Sequence, residues 1–164
     1  MTGRYFLHAM GTEETRESVG GRVSVWDALV ALFALIGLAD AAYLTAEHLS
    51  GNSVRCMVVS GCDEVLQSGY ATVAGGVPVA AVGALAYFTV FSLATLAAFG
   101  YAGARRLLAP LVALMFLATL WFLYLQAFVI RAYCFYCLLS AAITTTLALL
   151  VFACRYAGPG KRLA

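Results

Sequence analysis

Four long apolar runs divide the chain, separated by short polar or glycine-containing stretches. Crossing the ~30 Å hydrocarbon core of a bilayer takes about 20 residues of helix. The first run covers Val25 to Leu49, with Asp27 near its start and Asp40 inside it. The second covers Val77 to Phe99, the third Leu107 to Ile130, and the fourth begins at Cys134 and ends near Cys154. Strands of a membrane barrel would be about half as long and would alternate in polarity, whereas a helix satisfies its own backbone in lipid. The pattern predicts an all-α integral membrane protein, a four-transmembrane-helix bundle with one large loop between Ser50 and Gly76. The link Gly100–Arg106 makes spans two and three antiparallel neighbours, and spans three and four are joined almost directly around Arg131–Tyr133.

Composition agrees with membrane residence. The 164 residues are 63% hydrophobic and 11% charged, with mean hydropathy +0.92, where a soluble domain carries about a quarter charged residues. The net charge of +2 is too small to suggest nucleic-acid binding. Met1 to Gly21 is polar and reads as a tail, and the first apolar run is too long and too late for a cleaved secretory signal. Lys and Arg then orient the bundle. Arg4, Arg16, Arg22, Arg105, Arg106, Arg155, Lys161 and Arg162 fall on one side, Arg55 and Arg131 on the other. The expected organisation is a cytoplasmic tail at 1–22, a membrane catalytic domain at 23–156 with its extracytoplasmic loop at 50–76, and a cytoplasmic tail at 157–164. Both termini then face the cytoplasm, in the cell membrane.

This orientation puts four of five cysteines outside. Cys56 and Cys62 lie in the loop, and Cys134 and Cys137 open the fourth span. Cys134 and Cys137 are three apart, so they share a helix face, at a helix N-terminus where unpaired N–H groups and the macrodipole favour thiolate. Arg131 adds positive charge one turn upstream. A Cys-x-x-Cys so placed is a reactive dithiol. The Cys56-x5-Cys62 pair reads either as a disulfide pinning the loop in an oxidising compartment or as half of a relay, since adjacent dithiols exchange by thiolate attack. A four-cysteine zinc site is disfavoured by that compartment and by ligands embedded in the membrane. No metal is expected. Cys154, 17 residues beyond Cys137 and about 25 Å away along a helix, reads as a small buried hydrophobe.

These residues resemble the vitamin K epoxide reductase family, in its bacterial, disulfide-forming branch without a fused thioredoxin-like domain. The resemblance rests on Ala42-Tyr43-Leu44-Thr45 with Glu47-His48, and on Cys56 with Ser60-Gly61-Cys62-Asp63-Glu64-Val65 and Ser68. It continues through Gly76-Val77-Pro78-Val79 with Gly83, and ends at Cys134-Phe135-Tyr136-Cys137. It implies a membrane thiol–quinone oxidoreductase. A reduced thioredoxin-like or disulfide-donor protein, separate and on the outer side, attacks a Cys56–Cys62 disulfide at Cys56. Cys62 then attacks Cys134, and Cys137 reduces a quinone of menaquinone, ubiquinone or vitamin K type. Ser68 matches a family hydroxyl near the loop pair, although a turn or cap role also suits a serine there. Vertebrate members carry an asparagine in the second span and a tyrosine four residues after the second cysteine of Cys-x-x-Cys. The second span here has no asparagine, and the later position is Ala141, so those polar anchors are not carried over.

Other residues have two readings. Asp40 is an ionisable group inside a span, either a proton relay or a bundle-facing hydrogen-bonding group. His48 is either a thiol proton acceptor or a solvated interface residue. Phe135 and Tyr136 are candidates to wall a flat quinone ring. Two rivals to this reading stand, a second enzyme reading and a non-enzyme one. In the DsbB-like quinone reductases the Cys-x-x-Cys comes early and the looser pair late, the reverse of the order here. In a disulfide-stapled scaffold or assembly factor the bridges would resist exchange.

Overall fold

The computed structural model describes residues 25–51, 61–73 and 76–157, with side chains described through residue 153. The 1–22 tail, most of the 157–164 tail, Cys56 and the Cys154 side chain lie outside the described residues. Helix α1 spans Val25–Ser50. The loop contributes a short helix α2, Cys62–Leu66, and a two-stranded antiparallel hairpin, β1 Thr72–Val73 and β2 Val77–Pro78. Helix α3 is Val79–Ala98, α4 is Ala102–Tyr124 continuing as a π-helix over Leu125–Ile130, and α5 is Phe135–Ala157. The four long helices are each apolar and long enough to cross a bilayer. The protein is a multi-pass membrane bundle, as the apolar runs predict.

Two boundaries differ from expectation. Helix α4 starts at Ala102, five residues ahead of the apolar run, because Arg105 and Arg106 end the hydrophobic pattern without ending the helix. Arg105 Nη2 donates to Asp27 Oδ2 at 2.6 Å, which ties the first turn of α4 to the first turn of α1. The loop also carries more structure than its composition suggests. The Val79 amide donates to the Ala71 carbonyl at 2.8 Å, and Pro78, just ahead of α3, lacks an N–H that the helix start would leave unpaired anyway. Gly76 takes φ +82°, a left-handed value that favours glycine, at the end of the hairpin connection.

Helix α1 packs on α3 and α5, and α4 packs on the same two, closing a four-membered ring. The shared core is built mainly from small residues, among them Ala34, Ala41, Ala94, Ala109, Val30, Val90 and Val112. Lipid offers apolar side chains no incentive to leave it, so close backbone approach through small residues holds such helices together. Gly37 is the extreme case, since a Cβ there would overlap the Tyr87 ring. Leu35, Ile36, Leu85, Phe88, Leu114, Leu117, Trp121 and Leu149 point outward and are exposed. An apolar belt of this extent is not sustained on a protein facing water.

Candidate functional site

At the loop end of the bundle a second buried cluster joins Leu44 of α1, Cys62 and Val65 of α2, and Ala132 and Cys134 ahead of α5. Cys62 and Cys134 are 1% and 0% exposed, so the only neighbours these sulfurs have are protein. The contact that seats α2 is Gly61. A Cβ at that position would lie 2.9 Å from both the N and the O of Tyr133, and 3.0 Å from the Ala132 Cβ. The backbone of the loop therefore rests directly on the backbone leading into Cys134. Cys62 is disulfide-bonded, whereas Cys134 and Cys137 are free thiols.

The π-helix sets the other side of this junction. Its extra residue per turn is a device found often at functional sites. Gln126 in its first turn is buried, and its Oε1 accepts the Cys134 amide at 3.1 Å. Arg131 closes the segment with φ +56°, an uncommon left-handed conformation for a residue with a side chain. The chain then turns into α5.

Cys134 is the N-cap of α5 rather than its first residue, since its carbonyl accepts the Leu138 amide at 3.0 Å. Its sulfur occupies the place of a capping oxygen, facing the amides of the second and third helical residues. The Cys137 thiol donates to it, and the Cys137 and Tyr136 amides add to that donation. Together these outweigh burial and hold the Cys134 thiol well below its ordinary 9, at about 7. In the reduced protein, Cys134 thiolate is expected to grow as pH rises through about 7. Cys137→Ala removes the leading donor and should shift that midpoint upward, and Cys137→Ser, which keeps a donor, should shift it less. Thiolate ultraviolet absorbance across a pH series reads both.

Below this junction lies a cavity of about 400 Å³, within the range of small-molecule sites. Its walls are largely apolar, with Leu44, Val79, Ala80, Leu111, Met115 and Phe122 among them, and it reaches Cys137, Ser68, Asp40, His48, Gln126, Ser140 and Thr144. Tyr87 stands at its floor, 2% exposed. Its hydroxyl meets Ser140 Oγ at 2.8 Å and Thr144 Oγ1 at 2.7 Å, and donates toward the Ser140 carbonyl at 3.1 Å. Asp40 Oδ2 is buried with no hydrogen-bond partner among the described residues.

The structure thus brings together three of the four cysteines singled out in the sequence, and Cys56 lies outside the described residues. Ser68 and Cys137 line the cavity. The Ser68 hydroxyl is engaged with the Val65 carbonyl at 2.7 Å, a bond it would have to exchange in order to donate to a ligand. Phe135 and Tyr136 pack instead on the cluster around Cys62 and Cys134, and the Tyr136 ring lies 5.3 Å from that of Tyr43. Ala141 is on the cavity wall. Gln126 and the Tyr87–Ser140–Thr144 group were not singled out from sequence. The signals were present: a lone amide inside an apolar run, and two hydroxyls four apart, hence on one helix face.

The profile described as the vitamin K epoxide reductase family matches residues 28–152. The matched segment contains both cysteine pairs and nearly all of the four spans. No curated protein matches the sequence.

Proposed function

The chain belongs to the vitamin K epoxide reductase family, membrane oxidoreductases that link thiols to quinones, and from that premise we propose that it oxidises a thioredoxin-like partner and passes the electrons through two cysteine pairs to a quinone. The observation that carries this reading is the common burial of Cys62 and Cys134 in one cluster with Cys137 on the cavity wall. One pair then reaches the aqueous loop and the other reaches a site suited to a lipid-soluble substrate. The excess of Lys and Arg at the opposite end supports a loop outside the cytoplasm.

The electrons move in balanced exchanges. A partner thiolate attacks Cys56 of the Cys56–Cys62 disulfide, and the partner's second thiol resolves the mixed disulfide, leaving the partner oxidised and the loop pair reduced. Cys62 attacks Cys134 of a Cys134–Cys137 disulfide, and Cys137 departs as thiolate. Cys56 then attacks Cys62, which restores the loop disulfide and frees Cys134, and two protons, equal to those given up by the partner's thiols, return Cys134 and Cys137 to the dithiol state. Cys134 and Cys137 re-form their own disulfide, giving two electrons and two protons to the quinone, which leaves as hydroquinone. The cysteine states in the structure, a bridged Cys62 beside free Cys134 and Cys137, fit the stage before that last transfer. Among the other residues, Phe135, Tyr136 and Gln126 hold the junction, and Ser68 borders the quinone cavity.

The reading is tested with purified full-length protein in detergent or liposomes, a reduced thioredoxin-like donor, and short-chain ubiquinone, menaquinone and vitamin K analogues. Sustained hydroquinone formation dependent on the donor is expected with at least one of them. Stoichiometric thiol loss without turnover on every quinone would move the protein to the stapled-scaffold class.

A further inference from the structure

The proposed reaction moves protons as well as electrons, and the described lining of the cavity includes a buried carboxyl placed to handle them. Tyr87 has a single O–H, already placed among Ser140 and Thr144. Ser68 donates to the Val65 carbonyl, and the Gln126 carbonyl oxygen holds the Cys134 amide. Asp40 differs from all three. It is 9% exposed, lines the same cavity as Cys137, and its Oδ2 has no partner among the described residues. It lies one helical turn from Leu44, which packs in the cysteine cluster, and one turn from Gly37, which receives the Tyr87 ring. The carboxyl is thus set between the thiols and the cavity floor, within electrostatic reach of Cys134, Cys137 and Tyr87. A carboxylate at this depth is costly, and an oxygen without a partner compounds the cost, which makes it a ready proton acceptor.

We propose that Asp40 is the acid–base group of this cavity, taking the proton of the Cys137 thiol and delivering it to a carbonyl oxygen of the bound quinone. The balance closes within the pair of reactants. Cys134 and Cys137 lose two electrons and two protons as their S–S bond forms, and the quinone gains both. Asp40 carries the proton from Cys137 and ends the cycle in the state in which it began. His48, which also lines the cavity, lies eight residues toward the loop, about 12 Å along α1. This inference rests on the quinone-reductase reading.

The test uses the full chain and begins with wild-type turnover on a short-chain quinone, since absence of that turnover defeats the underlying reading itself. With turnover established, Asp40→Asn is expected to lower kcat by about 100-fold, the lower bound for a lost general acid–base group. Quinone affinity, read by tryptophan fluorescence quenching, and KM should change little. Asp40→Glu, which keeps the acid, should recover part of kcat. The proposal is overturned if D40N turns over at the wild-type rate, or if D40E recovers none of the kcat that D40N loses.

Discussion

Cys137→Ala is expected to abolish quinone reduction, by on the order of 10³-fold or more, the scale on which removal of an essential nucleophile acts. Among the described cysteines, Cys137 is the one on the cavity wall, while Cys134 is sealed between α2 and the start of α5. The variant should also accumulate a specific covalent species. Cys134, deprived of its partner, attacks Cys62 of the loop disulfide and releases Cys56, and no thiol at 137 remains to draw Cys134 away into a disulfide of its own. The chain then carries a Cys62–Cys134 bridge and a free Cys56. Peptide mapping under non-reducing conditions, after alkylation of free thiols, identifies that bridge by mass. Retained quinone reduction in Cys137→Ala would remove Cys137 from the electron exit. Scrambled or intermolecular bridges in place of Cys62–Cys134 would break the assigned order.

What the sequence made legible was whatever a period or a spacing can encode. The spans were legible because lipid demands long apolar runs, and the cysteine junction because Cys-x-x-Cys at a span boundary has few other readings. Features set by packing were not legible. Tyr87 and Phe88 are adjacent aromatics in one apolar run, yet one is buried on the cavity floor and the other faces outward with 53% exposure. Only the Gly37 gap and the Ser140 and Thr144 hydroxyls distinguish them, and those sit on other helices. The first turn of α4 was hidden by Arg105 and Arg106, which mark where the membrane ends and not where the helix does. The π-turn at Leu125–Ile130 leaves no signature in hydrophobic pattern, because its one extra residue per turn shifts the face of a segment apolar all round. That turn nevertheless puts Gln126 on the Cys134 amide and makes Cys134 a cap. Asp40 was visible as an expensive residue, but a one-dimensional pattern could not tell a bonded aspartate from one whose Oδ2 lacks a partner beside a cavity.

Gly61→Ala is expected to disconnect the two cysteine pairs while leaving each intact. Gly61 has φ −98°, a value open to any residue, so backbone strain does not enter. The obstacle is the 2.9 Å approach of the added Cβ to the N and O of Tyr133, atoms fixed by the short path between the π-helix and α5. Main chain yields less readily than a side-chain tip, so α2 must move outward and take Cys62 with it. Thiol–disulfide exchange needs the attacking sulfur in line and near contact, and a displacement of about 1 Å can cost 10²-fold in such steps. Donor-driven turnover should therefore fall by about 100-fold. The chemically reduced Cys134/Cys137 pair should still be oxidised by quinone at the wild-type rate in a single-turnover, rapid-mixing experiment. The Cys62–Cys134 bridge should also form slowly when Gly61→Ala is combined with Cys137→Ala. Equal loss of the donor-driven and the direct quinone reactions would show that the substitution disturbs the cavity or the fold, and that the Gly61–Tyr133 contact does not specifically govern exchange between the pairs.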